Sequence, residues 1–176
     1  MQKYLYDADK IIKKDMNRKR SVYIDLQRST IQNIDDLNVY VVHEGSYLHH
    51  YNTLIAGFVT LEDSEINAVI VDQIFDDAPA YVQKFFLYHE VGHYKNNDIE
   101  TNMMKMKNRN KRLLGISRYI QSENYADEYA AKNIGYSWSY ESLSWVLNNV
   151  KLPLLSKIEL IRRRNRLKKH CTVIEW

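Results

Sequence analysis

Between Asn38 and Val71 the chain alternates short apolar runs with polar breaks. Val39 and Val41, then Leu54–Leu61, then Ile66–Val71 are rich in β-branched or aromatic residues, and Glu44–Gly45–Ser46 and Glu62–Asp63–Ser64 separate them. Runs of this kind bounded by turn formers predict three short strands, with Val22–Leu26 as a fourth. Residues 4–17 read as a polar helix of weak periodicity. After Ile74 the period lengthens. Asp76, Asp77 and Pro79 form a helix-start signal, and Val82, Phe85, Phe86, His89 and His93 then recur at helical spacing. Leu87, Tyr88 and Val91 make the other sides of that helix apolar, so it should be buried. Glu123–Asn133 predicts a second helix, stopped near Gly135. Leu143, Val146, Leu147 and Val150 mark a third, and Leu154, Ile158 and Ile161 a fourth. Strands first and helices afterwards is an α+β order: a small N-terminal sheet of three or four strands, an apolar helix, then C-terminal helices.

Composition narrows the class. A length of 176 residues suits one compact domain over 1–176, and two prolines and five glycines leave no linker or repeat. Cys171 is the single cysteine, which excludes an intrachain disulfide and a cysteine-cluster zinc finger. The longest apolar run, Leu54–Val59, is far short of the ~20 residues that cross a bilayer. The N-terminus carries Lys3, Asp7, Asp9, Lys10, Lys13, Lys14 and Asp15 with no apolar h-region, so no secretory signal is readable and a cytoplasmic location is expected. The net charge of +3 hides an uneven distribution. Residues 23–100 hold 3 basic and 13 acidic residues, net −10, whereas 101–122 and 151–176 each carry net +6. The basic segments can meet an acidic partner, lie on solvated helix faces, or neutralise the acidic half of the same fold.

His89-Glu90-Val91-Gly92-His93 is an H-E-x-x-H on a predicted helix. Residues at i and i+4 lie one above the other on a helix face, so two imidazoles can reach one metal at ~2.0–2.1 Å. Glutamate at i+1 points towards the open side, where it can take a proton from water. A catalytic zinc needs a third protein ligand and one open position. The histidine of the metzincin arrangement is missing, because Ile99 and Asn96 occupy its positions. Glu100 follows Lys95–Asn96–Asn97–Asp98, a polar stretch that reads as helix exit and not as a return to a cleft. The better source is Glu123-Asn124-Tyr125-Ala126-Asp127-Glu128-Tyr129-Ala130-Ala131. Glu123 and Asp127 are one turn apart and about 40° around the axis; Glu128 is about 140° from Glu123 and cannot share its metal. A ligand carboxylate followed one turn later by an acceptor for a histidine N–H is what such a site needs. Ala126 and Ala130 leave room for the two helices to press together.

H-E-x-G-H followed by E-x-x-A-D-x-[FY]-A-A resembles the gluzincin zinc metallopeptidases. The nearest likeness is to the small soluble ImmA/IrrE-like peptidases, with similarity to the catalytic core of the membrane CAAX-type and heat-shock metallopeptidases. It covers about residues 66–135. The resemblance implies a zincin-like fold, with His89, His93 and Glu123 as zinc ligands, Glu90 as catalytic base and Asp127 as the partner of a ligand histidine. It also implies that the strand near Asn67–Asp72 is an edge strand along which a peptide pairs. The membrane helices of the second group are missing, and no helix-turn-helix is readable.

The function expected is a Zn2+-dependent metallopeptidase acting on a protein or peptide substrate. The alternative is a non-proteolytic zincin-like module that binds a protein or nucleic-acid partner. Tyr119, Tyr125, Tyr129, Tyr136 and Tyr140 are equal candidates for stabilising an oxyanion. His43, His49 and His50 read as surface or packing residues. Lys105, Lys107, Arg109, Lys111 and Arg112 join the two ligand helices and could attract acidic peptide. Arg162–His170 has the charge but not the aromatic interleaving of a nucleic-acid surface.

Overall fold

The computed structural model describes residues 5–6, 24–25, 29–43, 56–61, 66–71, 73–98 and 112–171. The chain divides into two compact units, Met1–Asp77 and Ala78–Trp176. Together they make an α+β protein, and no helix among the described residues is long and apolar enough to cross a membrane.

The first unit carries the strands. β1 (Leu5–Tyr6) and β2 (Ile24–Asp25) form an antiparallel pair, with Leu5 opposite Asp25. Leu5 and Tyr6 are therefore extended, against the helix expected there, and residues 7–17 of that expectation lie outside the described residues. A four-stranded sheet runs in the order β3 (Thr30–Ile34), β4 (Leu37–Val42), β6 (Ile66–Val71), β5 (Ala56–Leu61). β3 and β4 make a hairpin in which Ile34 faces Leu37, closed by Asp35 and Asp36 at φ 49° and 63°. Left-handed conformation at both central residues is the type I′ pattern, whose twist matches that of the strands. β4 pairs parallel to β6, and β5 antiparallel to it.

This order corrects one expectation. The strand at Asn67–Asp72 is no edge: β6 is hydrogen-bonded on both sides, so its ladder groups are not open to a peptide. Its near-continuous Ala68–Val71 run, buried throughout, is what an interior strand requires. A short helix, α1 (Gln73–Asp77), follows and buries Phe75. It stops because the residue before Pro79 is driven away from helical backbone.

The second unit is helical. Pro79 caps α2 (Ala80–Lys95), so Asp76 and Asp77 end the preceding helix and do not begin this one. α3 spans Arg112–Ile134, well beyond the expected start at Glu123, and α4 spans Tyr136–Asn149. A single residue, Gly135 at φ 97°, separates them. α5 (Leu154–Lys168) follows Pro153. α2 packs on α3 at Gly92, where an added Cβ would lie 2.9 Å from Ala126 Cα and 3.2 Å from Tyr129 Cβ. Ala126 and Ala130 are fully buried at this crossing. The close approach sets the distance between whatever side chains flank it.

α5 departs from its expected orientation. Leu154 and Ile158 are exposed at 72% and 39%, so that apolar row is not the inner face. Arg163 and Arg166 turn inward instead, beside the fully buried Leu167.

Candidate metal centre

His89 and His93 lie one turn apart near the end of α2, and Glu123 and Asp127 flank Ala126 on α3. The Gly92–Ala126 contact therefore brings all four together. The imidazole Nε2 atoms of His89 and His93 face each other at 3.1 Å. Glu123 completes a triangle, with Oε2 3.5 Å from His89 Nε2 and Oε1 3.5 Å from His93 Nε2. Two ligands on a tetrahedral metal with bonds of about 2.0–2.1 Å are about 3.3–3.4 Å apart, so the donor set has the right size. These three residues are the group among the described residues whose donor atoms converge in this way.

The outward nitrogens are also held. His89 Nδ1 is 3.0 Å from Asp127 Oδ1, and Asp127 is completely buried. His93 Nδ1 is 2.9 Å from Asp98 Oδ2. Ionised carboxylates only accept, so each ring donates its Nδ1–H and turns an Nε2 lone pair towards the other ring. Two lone pairs 3.1 Å apart, one of them buried, need a cation between them or a proton on one ring. Protein charges alone select the proton. Burial lowers the His89 pKa, but hydrogen bonds to Asp127 and Glu123 outweigh it and push it up to about 9. Burial works against the Glu123 charge, yet the His89 hydrogen bond and the Arg163 charge draw its carboxyl down to about 2. Asp127 is likewise held far below the carboxylate range, its burial outweighed by Arg163 and His89.

Arg163 is the residue that sequence reasoning missed. Its Nη1 donates to Glu123 Oε2 at 2.6 Å, while Nη2 and Nε donate to the two oxygens of Asp127 at 2.6 and 2.9 Å. Arg166 adds a longer contact to Asp127 Oδ2, 3.4 Å. Burial would discharge Arg163, but the Asp127 charge and hydrogen bonds hold it charged. Arg163 and Arg166 thus neutralise acids of their own fold and are not free for a nucleic-acid surface. The available signal was an imbalance: Asp98, Glu123 and Asp127 cluster with only two histidines, which calls for a further cation.

Glu90, expected as the base, follows His89 on α2 and is half-buried. Glu128 turns elsewhere, accepting from the Tyr136 hydroxyl and approaching Lys132. Glu100, His49 and His50 lie outside the described residues, as do Lys105, Lys107, Arg109 and Lys111; His43 pairs with Asp76 in the first unit. The structure separates the tyrosines. Tyr129 lies tilted against Tyr88, the Tyr140 ring lies under Arg164, and Tyr136 serves Glu128, while Tyr119 and Tyr125 are both exposed. Tyr119, one turn before Glu123, has its hydroxyl pKa raised by desolvation and by the Glu123 and Glu159 charges.

A comparison with protein-family models, curated proteins and solved structures finds no match to this chain.

Proposed function

We propose that the second unit is the core of a zinc-dependent metallopeptidase with a zincin-like active-site helix. The observation that carries the reading is the pair of Nε2 atoms, one on buried His89 and one on half-buried His93, facing each other at 3.1 Å, with both Nδ1 atoms already committed to carboxylates. The two Nε2 atoms and the Glu123 carboxylate converge on one point, where a metal ion can take the place of the proton that the metal-free pair holds. His89, His93 and Glu123 would hold the ion, and neutral imidazole with carboxylate suits Zn2+. When bound, zinc supplies Lewis-acid polarisation of the substrate carbonyl.

The remaining chemistry belongs to the chain. Glu90 takes the proton of the attacking water and passes it to the leaving amine. Asp127 and Asp98 fix the ring orientations, and Arg163 keeps Glu123 and Asp127 ionised in a buried place. The substrate is a protein or peptide.

Two measurements test this. Purified protein should bind one zinc per chain, and His89→Ala with His93→Ala should abolish it; full occupancy in the double variant would end the assignment. Wild type and Glu90→Gln incubated with a cell lysate should then differ in new protein termini while holding equal zinc. Equal zinc with no cleavage by either would favour a metal-binding module that does not hydrolyse.

A further inference from the structure

The stretch after α2 does return to the site. α2 ends at Lys95, and Asn97 adopts left-handed backbone at φ 54°, a conformation that asparagine tolerates better than most residues. The reversal brings Asp98, only 5% exposed, behind the His93 ring. There its Oδ2 accepts from His93 Nδ1 at 2.9 Å and from Ser122 Oγ at 2.7 Å, while Oδ1 accepts from Asn96 Nδ2 at 3.0 Å. Ser122 Oγ is itself 3.2 Å from His93 Nδ1. Two consecutive residues of α3 thus meet opposite edges of one imidazole, Ser122 at Nδ1 and Glu123 Oε1 at Nε2.

The geometry points to Asp98, braced by Ser122 and Asn96, as the positioning residue that fixes His93 in the Nδ1–H form with its Nε2 lone pair aimed at the metal position. This rests on the metal-site reading above. His89 has its own partner in Asp127, so each ligand histidine is held by a separate carboxylate. The two are not equivalent. Asp127 is locked into guanidinium contacts, whereas among the described residues the ion-pair partner of Asp98 is His93 alone. Burying a carboxylate against a single histidine and neutral donors is costly for stability, and orienting a ligand gives that cost a function. Ser122 also couples the exit of α2 to the turn of α3 that carries Glu123, so one hydrogen-bond cluster sets two ligands.

The test is zinc affinity, measured by chelator competition on the full chain, with nitrogen NMR of the zinc-loaded histidine rings. Asp98→Ala should weaken zinc 10- to 100-fold and remove the fixed Nδ1–H signal of His93, the range found when an outer hydrogen-bond partner is lost. Asp98→Asn should recover most of the affinity: its amide oxygen can take the Oδ2 place, and Asn96 can reverse its own amide to meet the new NH2. Ser122→Ala should weaken zinc by less than Asp98→Ala. If Asp98→Ala fails to fold, the asparagine and serine variants decide. Wild-type affinity and an unchanged ring signal in Asp98→Ala, or an asparagine variant as weak as the alanine, would overturn the inference and leave the metal site standing. A wild-type chain that binds no zinc would overturn both.

Discussion

Replacing Arg163 by methionine keeps most of the side-chain volume and removes the charge. Arg163 is 12% exposed and stands between Glu123, also 12% exposed, and Asp127, fully buried. Removing one member of a buried ion pair costs about 3–5 kcal/mol, mostly because the partner charge stays behind. Two carboxylates are left here, but Arg166 and His89 still touch Asp127. The lower end of the range, about 3 kcal/mol, is therefore expected for the metal-free protein. With a urea slope of about 2 kcal/mol per molar, the unfolding midpoint should fall by about 1.5 M in the presence of a chelator. Saturating zinc places positive charge on Glu123 and should narrow the loss. Arg163→Lys should recover only part, since one ammonium cannot reproduce a fork that reaches three oxygens. Arg162→Ala, its exposed neighbour, should stay within about 0.5 kcal/mol of wild type. A metal-free Arg163→Met that unfolds within about 1 kcal/mol of wild type would refute the claim that this guanidinium balances the site.

Three further outcomes follow from the same geometry. Gly92→Ala puts a methyl 2.9 Å from Ala126 Cα, a backbone atom that cannot step aside, so α2 and α3 should separate at a cost of about 1–3 kcal/mol, with weaker zinc binding; unchanged affinity would disprove the spacer role. Gly135→Ala would set its new methyl in ordinary contact with Trp138 at 3.8 Å, but the backbone at φ 97° would be strained, so it should cost about 1–3 kcal/mol in urea unfolding while leaving zinc affinity alone. In the metal-free protein, Glu123 has a folded pKa of about 2, below its ordinary 4.5, so its stabilisation is present above 4.5 and lost as pH falls towards 2. His89, raised from 6.5 to about 9, contributes below 6.5 and loses that contribution as pH rises through 9. Stability should therefore be greatest between these limits, and His89→Gln should flatten the alkaline side; greater stability at pH 9 than in the plateau would contradict the assigned contacts.

Much of the site was legible because its grammar is local. His89 and His93, and Glu123 and Asp127, each sit at i and i+4, and helix periodicity alone aligns such pairs. Ala126 and Ala130 announced a close crossing because small residues have few other uses on a buried face. What escaped reading depends on backbone or long-range geometry. Asp98 reaches His93 only because Asn97 takes a positive φ, which no spacing rule reports. Arg163 is one of four arginines between 162 and 166, and the apolar row of Leu154, Ile158 and Ile161 suggested a different inner face. Buried carboxylates overrode that row, since an unpaired charge costs more than two exposed aliphatic side chains. The β3–β4 hairpin was missed because Asp35–Asp36 has no glycine and because Thr30–Asn33 is exposed throughout, leaving no apolar alternation to see. β6 carried a sign of its interior place in Ala68–Val71, a run with no polar face to offer water.

The inward turn of Arg163 also bears on how the chain reaches its native state. Synthesis delivers α2 and α3 before α5, so His89, Glu123 and Asp127 leave the ribosome ahead of the cation that balances them, which lies 36 residues beyond Asp127 and 74 beyond His89. Until α5 docks, the helix pair must keep its carboxylates hydrated or protonated, and only the docked guanidinium lets them be both ionised and buried. The candidate metal centre then reaches its charge-balanced form only once α5 is in place. A nascent or truncated chain ending after α4 would hold the whole ligand motif and still lack a settled interior, a vulnerability visible to cellular proteases before any activity could appear.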